Sequence, residues 1–158
     1  MRTRVIQLGE DCVAEAAAAF VGELVQDAGL PTSKAYWLRL AVEEITTNIA
    51  RHGYRGHGLV RLTSEISQDR VWVRIEDEAP QFDPQSHDPA RQLQTAPAER
   101  EAGGFGLLLA LRKLDGFCYE RLDGQNRNTL TMFRPRVRTD ASEVDGVPDG
   151  NKQRADRR

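Results

Sequence analysis

Residues 70–84, RVWVRIEDEAPQFDP, alternate apolar with charged or polar side chains and then stop on three consecutive acids, an alanine and a proline. Val71, Val73 and Ile75 share one side and Trp72, Arg74 and Glu76 the other, which is the period of a strand buried on one face. Upstream, Val60, Leu62 and Ile66 alternate in the same way with Arg61, Thr63 and Glu65. SQDR (67–70) between the two runs reads as a hairpin turn. Asp77 closes the second strand, where a carboxylate either is solvated or accepts a hydrogen bond from an exocyclic amine such as adenine N6.

Outward from this pair, Arg2–Leu8 alternates weakly and is expected to be an edge strand, broken by Gly9, with Asp11 available to cap a helix. Val13, Ala17, Phe20, Val21, Leu24 and Val25 recur at helical spacing up to a stop at Ala28-Gly29. A second helix is expected from a Thr32 or Ser33 cap to about His52, with Leu38, Ala41, Val42, Ile45 and Ile49 on one face and Gly53 at its end. Pro80 to about Ala102 has neither period and reads as a long lid-like loop. Gly103, Gly104 and Gly106 then open a short apolar helix, LLLALRKLDG, followed by strands FCYERL and NTLTMFR around the turn DGQN. The expected order is strand, two helices, two strands, lid, helix, two strands.

The chain has 158 residues, 39% of them hydrophobic, enough for one core and one domain, expected over residues 1–135. Residues 136–158 hold no aromatic and only valine as a large aliphatic, so they are expected to be a disordered tail. A formal charge of -2 without a basic stripe argues against nucleic acid as a partner. Cys12 and Cys118 suit reduced thiols rather than a disulfide framework or a zinc site. The most apolar N-terminal stretch is too short and too charged to cross a membrane, so a cytoplasmic location is expected.

Glu44 and Asn48 lie one helical turn apart at the edge of the apolar arc, whereas Glu43 is expected to point nearly opposite. A carboxylate and an amide oxygen so placed are either the polar border of an amphipathic helix or a general base beside a ligand for a hard cation. The glycines at 103, 104 and 106, just before a helix, are either a hinge or a place where backbone amides approach an anion.

Their order along the chain is more specific than any one of them. AVEEITTNIARHGY (41–54), IEDEAPQFDP (75–84) and GGFGLLLALRKLDGFCYE (103–120) resemble the asparagine box and the two glycine boxes of the GHKL ATPase superfamily, and more narrowly those of bacterial anti-sigma-factor serine kinases. The resemblance covers about residues 5–135. It implies a Bergerat-type ATP-binding fold, an α/β (α+β) two-layer sandwich whose mixed sheet is covered on one face by helices. It also implies ATP and Mg2+ as cofactors, with Glu44 as general base, Asn48 on magnesium, Asp77 on adenine N6, and Gly104, Gly106 and Leu107 around the phosphates. Arg100 is the candidate lid arginine, offset from the usual spacing.

Ala79 stands where the family keeps glycine, and its methyl is expected either to crowd adenine or to restrict the loop. Asn128-Thr129 replaces a Gly-Thr pair, leaving the Thr129 hydroxyl to assist adenine. His52 and Tyr54 match family positions; His52 falls on the buried arc as a structural histidine, and Thr46 and Thr47 read as helix-surface residues. The resemblance implies an ATP-dependent serine-protein kinase that is also an anti-sigma factor. Its expected partners are a STAS-domain antagonist and a sigma factor, with a possible homodimer. The alternative is a binding module that sequesters a partner without kinase activity.

Overall fold

The computed structural model describes residues 1–8, 12–54, 58–86 and 105–135. The alternating segments become β1 (Arg2–Leu8), β2 (Gly58–Ile66), β3 (Arg70–Asp77), β4 (Gly116–Leu122) and β5 (Gln125–Phe133), joined in one sheet of order β1-β2-β3-β5-β4. The segments of helical period become α1 (Val13–Ala28), α2 (Thr32–Asn48) and α3 (Phe105–Lys113). Ile6, Leu62, Val73, Ile75, Leu130 and Met132 point from the sheet into a core shared with Val21, Leu24, Leu38 and Val42 of the helices. Of the intervening strand residues on the other face, Val5, Leu59 and Phe133 are exposed, and Trp72, Arg74 and Thr129 are half-buried. The result is the expected two-layer α/β sandwich with helices on one side only.

The expected mixed sheet is antiparallel at every pairing among the described strands. After β3, the chain passes through α3 and returns as β4 in the direction of β3, which by itself would give a parallel neighbour. The β4–β5 hairpin fills that place: β5 folds back between the two and is antiparallel to both. Its turn, Asp123-Gly124, has φ of 50° and 82°, the positive pair that a tight two-residue hairpin requires.

Helix boundaries differ from expectation where the backbone supplies its own caps. The expected Asp11 cap lies outside the described residues, and Cys12 occupies the N-cap of α1 without a side-chain bond. Thr32 is the first residue of α2 rather than its cap; Pro31 precedes it, and its carbonyl accepts from the Ala35 amide at 2.9 Å. The Ala28-Gly29 stop is present, with the amides of Gly29 and Leu30 bonded back to Gln26 and Val25.

Beyond Asn48 the helix widens into a π turn, Ile49–Gly53, closed by the Tyr54 amide on the Ile49 carbonyl at 3.2 Å. A π turn rotates less per residue than an α-helix, so positions past Asn48 leave the phase extrapolated from α2. His52 is exposed for this reason, not buried. Thr46, expected on the surface, is fully buried on the Leu38–Val42–Ile49 stripe; its hydroxyl donates to the carbonyls of Val42 (2.8 Å) or Glu43 (3.1 Å), which satisfies it locally.

Past Ser86 the expected lid, and past Pro135 the expected tail, lie outside the described residues. No helix among the described residues is long and apolar enough to cross a membrane.

Arg134 fastens the end of the fold away from β3's acidic terminus. Its guanidinium donates to the carbonyls of Ala28 at the end of α1 (2.8 Å) and Ser67 in the β2–β3 turn (2.6 Å), and its amide donates to Asp69 (2.8 Å). Arg134→Ala removes two charge-assisted bonds and a cation from a helix C-terminus, and is expected to lower stability by about 1–3 kcal/mol. Urea unfolding should show a lower midpoint with an unchanged slope.

Candidate functional site

A cavity of about 570 Å³ opens between α2, the π turn, the ends of β3 and β5 and the first turn of α3. That volume lies within the usual range for small-molecule sites. Glu44 and Asn48 line it from α2, Asp77 from β3, Asn126 and Asn128 from β5, and Leu107 from α3. Residues 33 to 84 positions apart in sequence from Glu44 thus meet on one wall system.

Asp77 continues the inward series Val71, Val73, Ile75, which drives its carboxylate below the surface; only 3% of it is exposed. One oxygen, Oδ1, accepts from Asn126 Nδ2 at 2.8 Å and from the Ala79 amide at 2.9 Å. The other, Oδ2, is buried without a partner. Burial pushes the Asp77 carboxyl above the ordinary range, opposed in part by the Asn126 and Ala79 donors and by the charge of Arg121. An acceptor left unsatisfied in this way costs on the order of 1–3 kcal/mol, which a ligand donor would recover. An exocyclic amine is such a donor.

Asn128, 2% exposed, also lines the cavity with an unpartnered Oδ1. Thr129, expected to assist the base, lies on the opposite face of the sheet, where its hydroxyl accepts from Arg74 Nε at 3.3 Å. A shift of one residue along a strand exchanges faces. Leu130 and Met132 already fix the phase of β5, and counting back from them places Asn128 and Asn126 inward. That parity is the signal by which both asparagines could have been found. Tyr119, across the hairpin on β4, is joined to the site through Asn126, and Arg121 through Asn126 and the Ala79 carbonyl; neither carries a motif of its own.

On the opposite wall, Glu44 rests against the start of α3. A Cβ added to Gly106 would stand 3.0 Å from Glu44 Oε1, so the bare backbone there is what admits the carboxylate. Glu43, expected to point away, also borders the cavity and is half-buried. Leu107 sits with its side chain in the core. Gly104 and Arg100 lie outside the described residues. Among the described residues no group of three His, Cys, Asp or Glu side chains could hold a metal ion. Asn48 offers the cavity a single amide oxygen.

The Ala79 methyl meets Gly53 of the π turn: a Cβ at Gly53 would come 2.7 Å from it. The extra methyl at 79 is thus matched by a missing one at 53. Tyr54 fixes the same corner, its hydroxyl accepting from the Glu78 amide and donating to the Leu59 carbonyl at 3.2 Å. Gly53→Ala is expected to cost about 1–3 kcal/mol through this overlap, and adding Ala79→Gly should restore most of the loss. Thermal melts of the two single variants and the double variant check it; additive losses would show that the contact is not the cause.

Residues 10–134 match the histidine kinase-like ATPase domain. The serine/threonine-protein kinase BtrW of Bordetella bronchiseptica is 34% identical over 101 residues, 61% of this chain and 68% of that protein. Two similar solved structures are a SiaB–SiaC complex from Pseudomonas aeruginosa and the Acinetobacter baumannii histidine kinase AdeS. The first has a TM-score of 0.44 at 18% identity, covering 82% of this chain and 89% of the other. The second has a TM-score of 0.47 at 15% identity, covering 85% and 69%.

Proposed function

The chain belongs to the histidine kinase-like ATPase family, and from that premise we propose that it is a serine-protein kinase and anti-sigma factor acting in partner switching. It transfers the terminal phosphoryl group of ATP to a serine of a STAS-domain antagonist. The observation that carries the nucleotide reading is Asp77 Oδ2, a buried acceptor without a partner beside a cavity of suitable volume.

The family match and the shared cavity lining support a role for each residue. Asp77 receives the base amine and orients the nucleotide. Asn48 and the start of α3, including Gly106 and the Leu107 amide, face its phosphates; Gly104 and Arg100, outside the described residues, are assigned to the same phosphates by the family resemblance alone. Glu44 takes the proton of the incoming serine hydroxyl as its oxygen bonds to the terminal phosphorus and the bond to the bridging oxygen of ADP breaks. Magnesium held at Asn48 would neutralise phosphate charge. Most of the catalysis on this reading is positioning and charge compensation.

Regulation follows from the product. The unphosphorylated antagonist competes with a sigma factor for this protein; a serine phosphate adds about two negative charges and ends that competition. The likeness to a curated serine/threonine-protein kinase supports transfer to a hydroxyl. Ala79, the feature that would favour a binding module without kinase activity, has its methyl accommodated by Gly53.

The deciding experiment incubates the full chain with Mg-ATP and a candidate STAS partner and follows the partner's mass. Addition of one phosphate at a serine is expected. Nucleotide binding without transfer to any STAS partner would favour sequestration alone, and no nucleotide binding would overturn the ATPase reading.

A further inference from the structure

The inward side of β5 places Asn126 behind Asp77, paired with it across the β3–β5 ladder and with Arg121 across the β4–β5 ladder. Its side chain is 3% exposed and its amide is fully committed. Oδ1 accepts from the Tyr119 hydroxyl (2.8 Å) and from Arg121 Nη1 (2.8 Å). Nδ2 donates to Asp77 Oδ1 (2.8 Å), with the carbonyls of Ala79 (3.2 Å) and Pro80 (3.3 Å) also in reach. Arg121 Nη1 bonds the Ala79 carbonyl as well, at 2.7 Å.

Turning the amide over would set its NH2 against the Arg121 guanidinium and its oxygen against a carboxylate and two carbonyls, so its orientation has one solution. With that amide fixed, Asp77 has one oxygen held by two donors and one left over. We infer that Asn126, braced by Tyr119 and Arg121, is a positioning residue for base selection, holding one oxygen of Asp77 so that the other is presented to the cavity as a pure acceptor. The inference rests on the nucleotide reading above and deepens it: the site selects purines with an amine at position 6 over purines with an oxygen there.

The chemistry of the two classes differs at one atom. Adenine N6 donates to a free carboxylate oxygen, whereas the O6 of hypoxanthine or guanine sets acceptor against acceptor. Without the Asn126 donor, Asp77 keeps only the Ala79 amide in a buried setting, and burial favours its protonated form. A protonated carboxyl donates as well as accepts, which removes the basis for discrimination.

Calorimetry of the full chain with Mg-ATP and Mg-ITP tests this, since inosine differs from adenosine at position 6 in the required way. Wild type is expected to prefer ATP. Asn126→Leu is expected to lower ATP affinity about tenfold or more while ITP affinity stays near its wild-type value, so that the preference collapses. Tyr119→Phe, which removes one brace and leaves the β-hairpin's apolar contacts in place, should move the ratio part of the way; it decides the matter if Asn126→Leu does not fold. An unchanged ratio, or equal losses for both nucleotides as a merely structural role would give, overturns the inference alone. If wild type binds neither nucleotide, the nucleotide reading falls and the inference falls with it.

Discussion

Glu44→Gln is expected to reduce phosphate transfer to the partner serine by about 10²–10⁴-fold, the usual contribution of a positioned general base, while nucleotide affinity stays close to wild type. The substitution keeps the size of the side chain and its packing against Gly106, and removes only the capacity to take a proton. Asp77, the proposed base reader, lies on β3 across the cavity and is untouched. Single-turnover transfer, followed by partner mass, separates the chemical step from binding. Gly106→Ala probes the same carboxylate without altering it: a Cβ placed 3.0 Å from Oε1 must displace Glu44, and a smaller loss in the same step is expected. Glu43→Gln is the control at the cavity border. Transfer at the wild-type rate in Glu44→Gln would remove Glu44 as the base and leave positioning alone to account for the reaction.

The order of elements was legible because each strand and helix carries its own period, and the core stripe of α2 and the inward series of β3 follow from counting by 3.6 and by 2. Glu44 and Asn48, read from one segment, and Asp77, read from another, line one cavity. What failed was extrapolation past a change of phase. His52 lies within a π turn that no residue type announces, and the polarity of Thr46 conceals that its hydroxyl can be satisfied within its own helix. Motif alignment puts Thr129 at the base, whereas strand parity, which Leu130 and Met132 set, puts it on the other face.

Other features are non-local. Whether β4 neighbours β3 depends on where the β5 hairpin inserts, and nothing within either strand encodes that choice. The match of Ala79 to Gly53 joins positions 26 residues apart through a single methyl. The Asn126 brace likewise exists only once two ladders have brought β3, β5 and β4 into register. Motifs pointed to Glu44, Asn48 and Asp77 on the cavity wall; the groups that hydrogen-bond Asp77 come from topology.

Asp77→Asn is expected to weaken ATP binding by about 10²-fold or more and to reverse the preference between ATP and ITP. The direction follows from which end of the new amide faces the cavity. Asn126 Nδ2 and the Ala79 amide both donate to Oδ1 of Asp77, so an asparagine there must turn its oxygen toward them and its NH2 toward the ligand. The cavity then offers a donor where it had offered an acceptor: adenine N6 meets a donor, and O6 of inosine gains a partner. Stability should move the other way. The Asp77 pKa is raised in the folded chain, so the native state holds this proton more tightly than the unfolded one. Its contribution is complete below the unfolded carboxyl pKa and is lost as pH rises through the folded value. Asparagine carries no such slope, and the ligand-free variant should melt higher than wild type at neutral pH. Binding of an amine donor favours ionised Asp77, so wild-type ATP affinity should rise with pH through the same window and release a proton, while the variant shows neither effect. Calorimetry with both nucleotides in two buffers of different ionisation enthalpy reads preference and proton release together. Retention of ATP preference by Asp77→Asn would mean that the base is read elsewhere in the cavity, with the unpartnered oxygen of Asn128 the next group to test.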